Sequence, residues 1–234
     1  KKNKNFDIIE AQKVNKIKPL NYKIPSDLSS AAFFIALTVL SEKSKLVIKN
    51  ININPTRTGI VKILRKMGVQ ILFLNKKIYK GEPVSDILVS SPQFLKSLNC
   101  PSKFNSGAID EFLVIFLIAA KAKGISFFKN LAELNHKESP RLDWGNKILN
   151  LMGVKTIKTK DSIRIYGNPN LNINKKESPR LIWGSKILKM MGVKVITTKN
   201  SIKIFGNPKL KVKKKIVIQK YLKDHRVFMT SVIA

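Results

Sequence analysis

Four short segments of this 234-residue chain place charged side chains where architecture alone does not call for them. The first is Asp110-Glu111, which opens an otherwise apolar stretch. An acidic pair at a helix start favours the dipole, so capping is one reading. A carboxylate set beside an apolar helix is also how a general base is positioned, and the residues alone leave both open. The second is Lys137-Glu138-Ser139-Pro140-Arg141. Pro140 suits the first turn of a helix, and Ser139 can cap it. Lys and Arg at that end oppose the dipole, and binding an anion there would give them a reason. The third is Asp224-His225-Arg226, where Asp224 can cap a final helix while Arg226 points at an anion. Its plainer reading is a cap followed by two surface bases. The fourth, Asn54-Pro55-Thr56-Arg57-Thr58-Gly59, reads as a turn entering a helix.

The elements that must position these segments follow from apolar spacing. Ser29–Leu40 (SSAAFFIALTVL) predicts a helix capped by Ser26 or Asp27, apolar nearly all round and so buried on most faces. Lys45–Ile51 alternates and predicts a strand. Arg57–Met67 has helical spacing, with Ile60, Ile63, Leu64 and Met67 on one face, and Gly68 stops it. Val69–Leu74 and Ile87–Ser90 are strand candidates. Asp110–Lys123 predicts a second apolar helix ended by Gly124, with Ile125–Lys129 returning as a strand. This is a β-α-β-α-β-β rhythm that starts again near Ser85. Such units predict an α/β domain with buried helices and outer sheets.

The second half carries a direct repeat. Residues 137–171 and 176–210 align without a gap at an offset of 39, with 25 of 35 positions identical. KESPRL, WG, MGV and GNP are each present in both copies. Identity this high reads most simply as a recent tandem duplication, or as an assembly error in the gene. Each copy predicts a helix (Arg141–Met152, Arg180–Met191) followed by two strands.

Composition narrows the function classes. Lys plus Arg is 45 and Asp plus Glu is 14, so the formal charge is 45 − 14 = +31. Only six of the 45 are Arg, which leaves 39 Lys spread along the chain. Nucleic-acid readers favour Arg for bidentate contacts. Lys, Asn and Ile are all abundant and all have AT-rich codons, so genomic bias explains the charge and no nucleic-acid partner is expected. An apolar fraction of 44% excludes a disordered polycation. No apolar run reaches the roughly 18 residues that span a bilayer, so no membrane partner is expected. The single cysteine, Cys100, excludes an internal disulfide. The first residues lack the layout of a signal peptide, and a cytoplasmic location is expected.

Each motif is weak alone, but their order is specific. SSAAFF at Ser29–Phe34, NPTRTG at Asn54–Gly59, IDE at Ile109–Glu111, KES-x-R at Lys137–Arg141 and DHR at Asp224–Arg226 together resemble the enolpyruvyl transferase family. NPTRTG and DHR are similar to its 5-enolpyruvylshikimate-3-phosphate synthase branch. The sibling UDP-N-acetylglucosamine enolpyruvyl transferases share the fold but not those two motifs. The resemblance implies two similar domains of β-α-β-α-β-β units with the active site in the cleft between them. Residues 1–234 then correspond to a single, incomplete C-terminal-type domain, with an N-terminal domain expected in the full-length protein. It also implies transfer of the enolpyruvyl group of phosphoenolpyruvate to the 5-hydroxyl of shikimate 3-phosphate with release of phosphate. That step serves chorismate and aromatic amino acid biosynthesis, in a monomer that needs no metal or organic cofactor.

Residue by residue, Asp110 matches the aspartate that contacts the shikimate hydroxyls and accepts a proton. Glu138 matches the glutamate of proton transfer at the enolpyruvyl methylene. Lys137 matches a binder of the shikimate phosphate, and Arg141 and Arg226 match the pair that grips the phosphoenolpyruvate anion, with His225 in support. Lys176, Glu177 and Arg180 of the second copy are the alternative to Lys137, Glu138 and Arg141. The first copy is expected to line the site, because the strand Ile125–Lys129 delivers it beside Asp110. The chain departs from the family at Pro140, usually Asp, and at Asn135-His136, usually Arg-Val. The alternatives are a catalytically inactive remnant domain, or a relative of the UDP-N-acetylglucosamine enzymes.

Overall fold

The structure, a computed structural model, describes residues 19, 21–137, 139–171, 194–197 and 202–205. It begins with α1 (Leu28–Leu40), whose N-terminus Asp27 caps by accepting from the Ser30 N–H at 2.9 Å. Of the two cap candidates, Asp27 is therefore the one used. Nine of the 13 residues of α1 are buried, as an all-round apolar sequence requires. The chain continues through β1 (Lys45–Asn52), α2 (Gly59–Lys66), β2 (Gln70–Tyr79) and β3 (Glu82–Ser90). β3 lies between β1 and β2 and is antiparallel to both. Ile60, Ile63, Leu64 and Met67 form the fully buried stripe that their spacing predicted. β2 and β3 run longer than the sequence suggested. Lys80 and Gly81 both take positive φ (48° and 89°), giving the two-residue turn whose twist suits a hairpin, with Tyr79 opposite Glu82.

A second unit repeats the arrangement. α3 (Phe112–Ala120), β4 (Gly124–Phe128), α4 (Arg141–Leu151), β5 (Thr156–Lys158) and β6 (Ile163–Gly167) follow in order. β6 lies between β4 and β5, antiparallel to both, as β3 lies between β1 and β2. The leading strand of each unit is reduced to isolated parallel bridges. Ser26 pairs with Ile51 ahead of α1, and Lys96 and Asn99 pair with Lys123 and Phe127 ahead of α3. The second unit thus starts around Leu95 and not near Ser85. Ser85 sits in the central strand β3, with its hydroxyl donating to the Leu74 carbonyl at 2.6 Å.

All nine residues of α3 are buried, and the helix packs against α1, α2 and α4. Phe112, Phe116 and Phe128 cluster with ring centroids 5.4–5.9 Å apart. α4 crosses this cluster at Gly145, where a Cβ would fall 2.8 Å from a Phe116 ring carbon. Only a residue without a side chain allows that approach, and it seats the first turn of α4 beside the start of α3.

A separate two-stranded hairpin, β7 (Lys194–Thr197) and β8 (Ile202–Phe205), falls in the second repeat copy. Val195 pairs with Ile204 and Thr197 with Ile202, the same register as Thr156 with Ile165 and Lys158 with Ile163 at the offset of 39. The strands expected after Met191 are therefore present and paired as in the first copy. The expected helix Arg180–Met191 lies outside the described residues.

Candidate active site

The sequence left the Asp110-Glu111 pair between capping and chemistry, and the structure removes the capping reading. α3 starts at Phe112, two residues later than expected, and no side chain caps it. The two carboxylates leave the helix axis and find other partners. Asp110 Oδ1 accepts from Arg141 Nη1 at 2.9 Å, and Asp110 Oδ2 lies 3.7 Å from Arg57 Nη1. Buried Glu111 accepts from the hydroxyl of Ser29 on α1. Ser29 Oγ in turn accepts from Arg57 Nη2 at 2.9 Å. A guanidinium can only donate, so the Ser29 proton is directed toward Glu111. The second carboxylate oxygen of Asp27 stands 3.9 Å from Arg57.

Local sequence explains why these groups meet. Asn54 folds NPTRTG into a turn: its side-chain oxygen accepts from the Thr56 N–H at 3.0 Å, and its carbonyl accepts from the Arg57 N–H at 2.8 Å. Gly59 then packs directly on the segment before Asp110. A Cβ on Gly59 would sit 2.4 Å from the Gly107 carbonyl carbon, so any side chain there pushes the two loops apart. Arg57 and Asp110 are neighbours because two glycine backbones touch.

At α4 the helix start differs from expectation. The cap position falls on Pro140, and Ser139 lies one residue outside it. The Leu142 N–H donates instead to Asn135 Oδ1 at 3.2 Å. Asn135, a departure from the family pattern, thus supplies the cap. Arg141 at the helix start opposes the dipole, and Asp110 is the anion that compensates it.

Exposure separates the two guanidinium groups. The Arg141 side chain is 1% exposed, that of Asp110 is 17% exposed and that of Arg57 is 48% exposed. A carboxylate has about four acceptor directions, and two guanidinium groups from different elements face this one. A groove of about 360 Å³ opens on the outer side of Arg57, with Tyr22, Asp27, Asn52, Asn54 and Glu82 along it.

The other expected residues divide as follows. Lys137 is ion-paired with Glu133 at 3.5 Å. Glu138, His225, Arg226, Lys176, Glu177 and Arg180 lie outside the described residues. Sequence reasoning read Arg57 only as part of a turn, Asp27 only as a cap and Ser29 only as a helix residue. The available signal was chemical: Arg57 is the one charge in a six-residue turn, and Ser29 is a hydroxyl at the start of an almost wholly apolar helix. Cys100 is buried, and burial pushes its thiol up to about 11, so it stays protonated and is no nucleophile. Among the described residues there is no group of three or more His, Cys, Asp or Glu that could hold a metal ion, and no helix long and apolar enough to cross a membrane.

Two αβαββ units with buried helices, and a carboxylate held by arginines from a turn and a helix start, define an α/β protein of enolpyruvyl-transferase type. The comparison with known proteins agrees. The sequence model of EPSP synthase (3-phosphoshikimate 1-carboxyvinyltransferase) matches residues 2–178, and the chain belongs to that family. It is 38% identical over 148 residues to the 3-phosphoshikimate 1-carboxyvinyltransferase of Petrotoga mobilis, covering 63% of this chain and 34% of the relative. It is 44% identical over 144 residues to that of Legionella pneumophila strain Paris, covering 62% and 33%. A solved EPSP synthase structure from Acinetobacter baumannii superposes with a TM-score of 0.60 at 40% identity, covering 62% of this chain and 32% of the other. The chain therefore spans about a third of the length of the curated relatives it matches. The family match contains the first KESPRL copy and ends as the second begins, and DHR lies beyond it.

Proposed function

We propose that residues 1–234 are a C-terminal-type domain of an enzyme that transfers the enolpyruvyl group of phosphoenolpyruvate to the 5-hydroxyl of shikimate 3-phosphate. The observation that carries this reading is the Asp110 carboxylate, held between Arg141 and Arg57 where three of the family's motifs converge. Asp110 accepts the proton of the 5-hydroxyl as its oxygen bonds to the enolpyruvyl carbon, and phosphate leaves from that carbon. Glu138 serves proton transfer at the methylene. Lys137 binds the shikimate phosphate, and Arg141 and Arg226, with His225, hold the phosphoenolpyruvate anion. A guanidinium has five donors in a rigid fork, so one group can hold both Asp110 and a substrate anion. The first repeat copy supplies Lys137, Glu138 and Arg141 in this reading, since Arg141 already meets Asp110. The working enzyme is a cytoplasmic monomer in which an N-terminal domain closes the other side of the cleft.

The test is phosphate release from the two substrates together, measured on the complete gene product. Asp110→Ala is expected to lower kcat by about 10²–10⁴-fold, the usual contribution of a positioned base. Unchanged turnover removes Asp110 from that role. A wild-type protein that binds neither substrate and releases no phosphate favours the inactive-remnant reading, which the duplication also motivates.

A further inference from the structure

We infer that Asp27 and Arg57 form a binding site for a hydroxyl group, and that it takes the ring hydroxyl of shikimate 3-phosphate next to the one that reacts. The assignment to that substrate rests on the reaction proposed above. Asp27 Oδ2 accepts from both the N–H and the hydroxyl of Ser30, at 2.9 and 3.0 Å, while Oδ1 accepts no hydrogen bond among the described residues. The Arg57 guanidinium has five N–H donors and gives one hydrogen bond among the described residues, from Nη2 to Ser29 Oγ at 2.9 Å. An acceptor and a donor with capacity to spare thus stand side by side, both about half exposed, and both line the 360 Å³ groove. That volume is within the range of small-molecule sites.

The spacing of the two groups selects the ligand. Arg57 Nη2 and Asp27 Oδ1 are 3.9 Å apart, too far for a direct hydrogen bond. One hydroxyl oxygen set about 2.8 Å from each can accept from the guanidinium and donate to the carboxylate. An anion there meets the Asp27 carboxylate, with Glu82 also in the groove wall, and a cation meets Arg57. A neutral hydroxyl satisfies both. The two serines of the SSAAFF motif hold the pair in place. Ser30 orients Asp27, and Ser29, whose own proton goes to Glu111, gives Arg57 a fixed acceptor. The position fits the reaction as well. Arg57 Nη1 stands 3.7 Å from Asp110 Oδ2, so the pair and the proposed proton acceptor lie at the two ends of one guanidinium. On a ring whose 5-hydroxyl meets Asp110, the neighbouring 4-hydroxyl is the group that can reach Asp27 and Arg57.

The experiment measures calorimetric binding of shikimate 3-phosphate and of its 4-deoxy analogue, together with turnover, for Asp27→Asn and Arg57→Met in the complete gene product. Asp27→Asn keeps an oxygen to cap α1 and replaces the other with a donor, so the hydroxyl loses its acceptor. Each variant is expected to weaken shikimate 3-phosphate binding by about 10–100-fold, the scale of one hydrogen bond to a charged group. The KM for phosphoenolpyruvate should change by less than about twofold, and kcat at saturation by less than about threefold, since the hydroxyl is held alike before and during the reaction. The 4-deoxy analogue should bind wild type and both variants equally well, because it lacks the group they hold. Wild-type affinity for shikimate 3-phosphate in Asp27→Asn, an equal loss with the 4-deoxy analogue, or a loss confined to kcat overturns the inference. If Arg57→Met does not fold, Asp27→Asn carries the test by the same criteria. A wild-type protein that binds shikimate 3-phosphate but releases no phosphate strikes the reaction assignment and leaves the binding comparison decisive, and one that does not bind it overturns both. Wild-type turnover with unweakened binding in the variants strikes this inference alone.

Discussion

Asp86 and Asp110 are both carboxylates gathered by several donors, and their surroundings differ in kind. Asp86 lies in the central strand of the first sheet. Oδ1 accepts the Asn50 N–H at 2.9 Å, and Oδ2 accepts Asn75 Nδ2 at 2.9 Å and Lys49 Nζ at 3.0 Å. Asn50 and Asn75 have positive φ (54° and 52°) where the register of each flanking strand shifts. One carboxylate thus holds irregularities in both neighbouring strands, and its donors come from the sheet it belongs to. Asp110 takes its cations from a turn and from a helix start in different units, and none from its own neighbours in sequence. Donors from one sheet make an architectural carboxylate. Donors from separate elements place a carboxylate where those elements meet, beside open surface.

The contrast can be broken in three further ways. The largest effect is expected from Arg141→Met, which strips the buried partner from Asp110 and the cation from beneath it. Breaking a buried pair from one side costs about 3 kcal/mol, to be read as a lower urea midpoint at an unchanged m-value. A stability equal to wild type would make the pair dispensable. Gly59→Ala comes next. The added Cβ overlaps the Gly107 backbone, and overpacking of this kind costs roughly 1–3 kcal/mol. Its activity should fall with Arg57→Met, because the same loop moves; full activity would detach the glycine contact from the site.

Asp86→Asn is the mildest and the most specific. The Asn50 N–H, the Asn75 amide and Lys49 hold the Asp86 carboxyl down at about 2, against an ordinary 3.8. The folded state therefore takes up its proton less readily than the unfolded chain. The resulting stability is present above about pH 4 and is lost as pH falls toward about 2. Asp86→Asn should flatten that part of the acid unfolding curve and leave kcat at neutral pH unchanged. An acid limb identical to wild type would show that Asp86 does not carry it.

The two repeat copies show how selectively sequence changes fall. In the first copy Asp143 pairs with Lys158 at 2.8 Å, and Thr156 donates to Asn146 at 2.7 Å and lies 2.9 Å from Asn150. All five positions differ in the second copy, as Ile182, Ser185, Lys189, Val195 and Thr197. The buried positions of α4, Arg141, Leu142, Gly145 and Leu149, recur as Arg180, Leu181, Gly184 and Leu188. The residues that make the polar contacts between α4 and β5 in the first copy are all replaced in the second, while the residues that face the core in the first copy are kept.

Much of the fold was legible because it rests on local periodicity. The stripe Ile60, Ile63, Leu64 and Met67, the all-round apolar runs of α1 and α3 and the stop at Gly68 (φ 92°) need only neighbours in sequence. The restart of the second unit was misplaced because its leading strand is only two parallel bridges, too short to carry alternation. The start of α3 was misplaced because charge beside an apolar run looks like a cap whether or not the carboxylates turn back to it.

The sequence by itself determined the elements, the family motifs and the candidates Asp110 and Arg141, because residue type and order are local facts. Only the tertiary structure decided that Arg141 is buried against Asp110, that Glu111 bonds Ser29 instead of capping α3, and that Arg57 belongs with them. Those pairings join residues 28 to 82 positions apart. They depend on two glycine-lined contacts, Gly59 on Gly107 and Gly145 on Phe116. No spacing along the chain encodes such contacts, since each arises from how closely two separate backbones can approach.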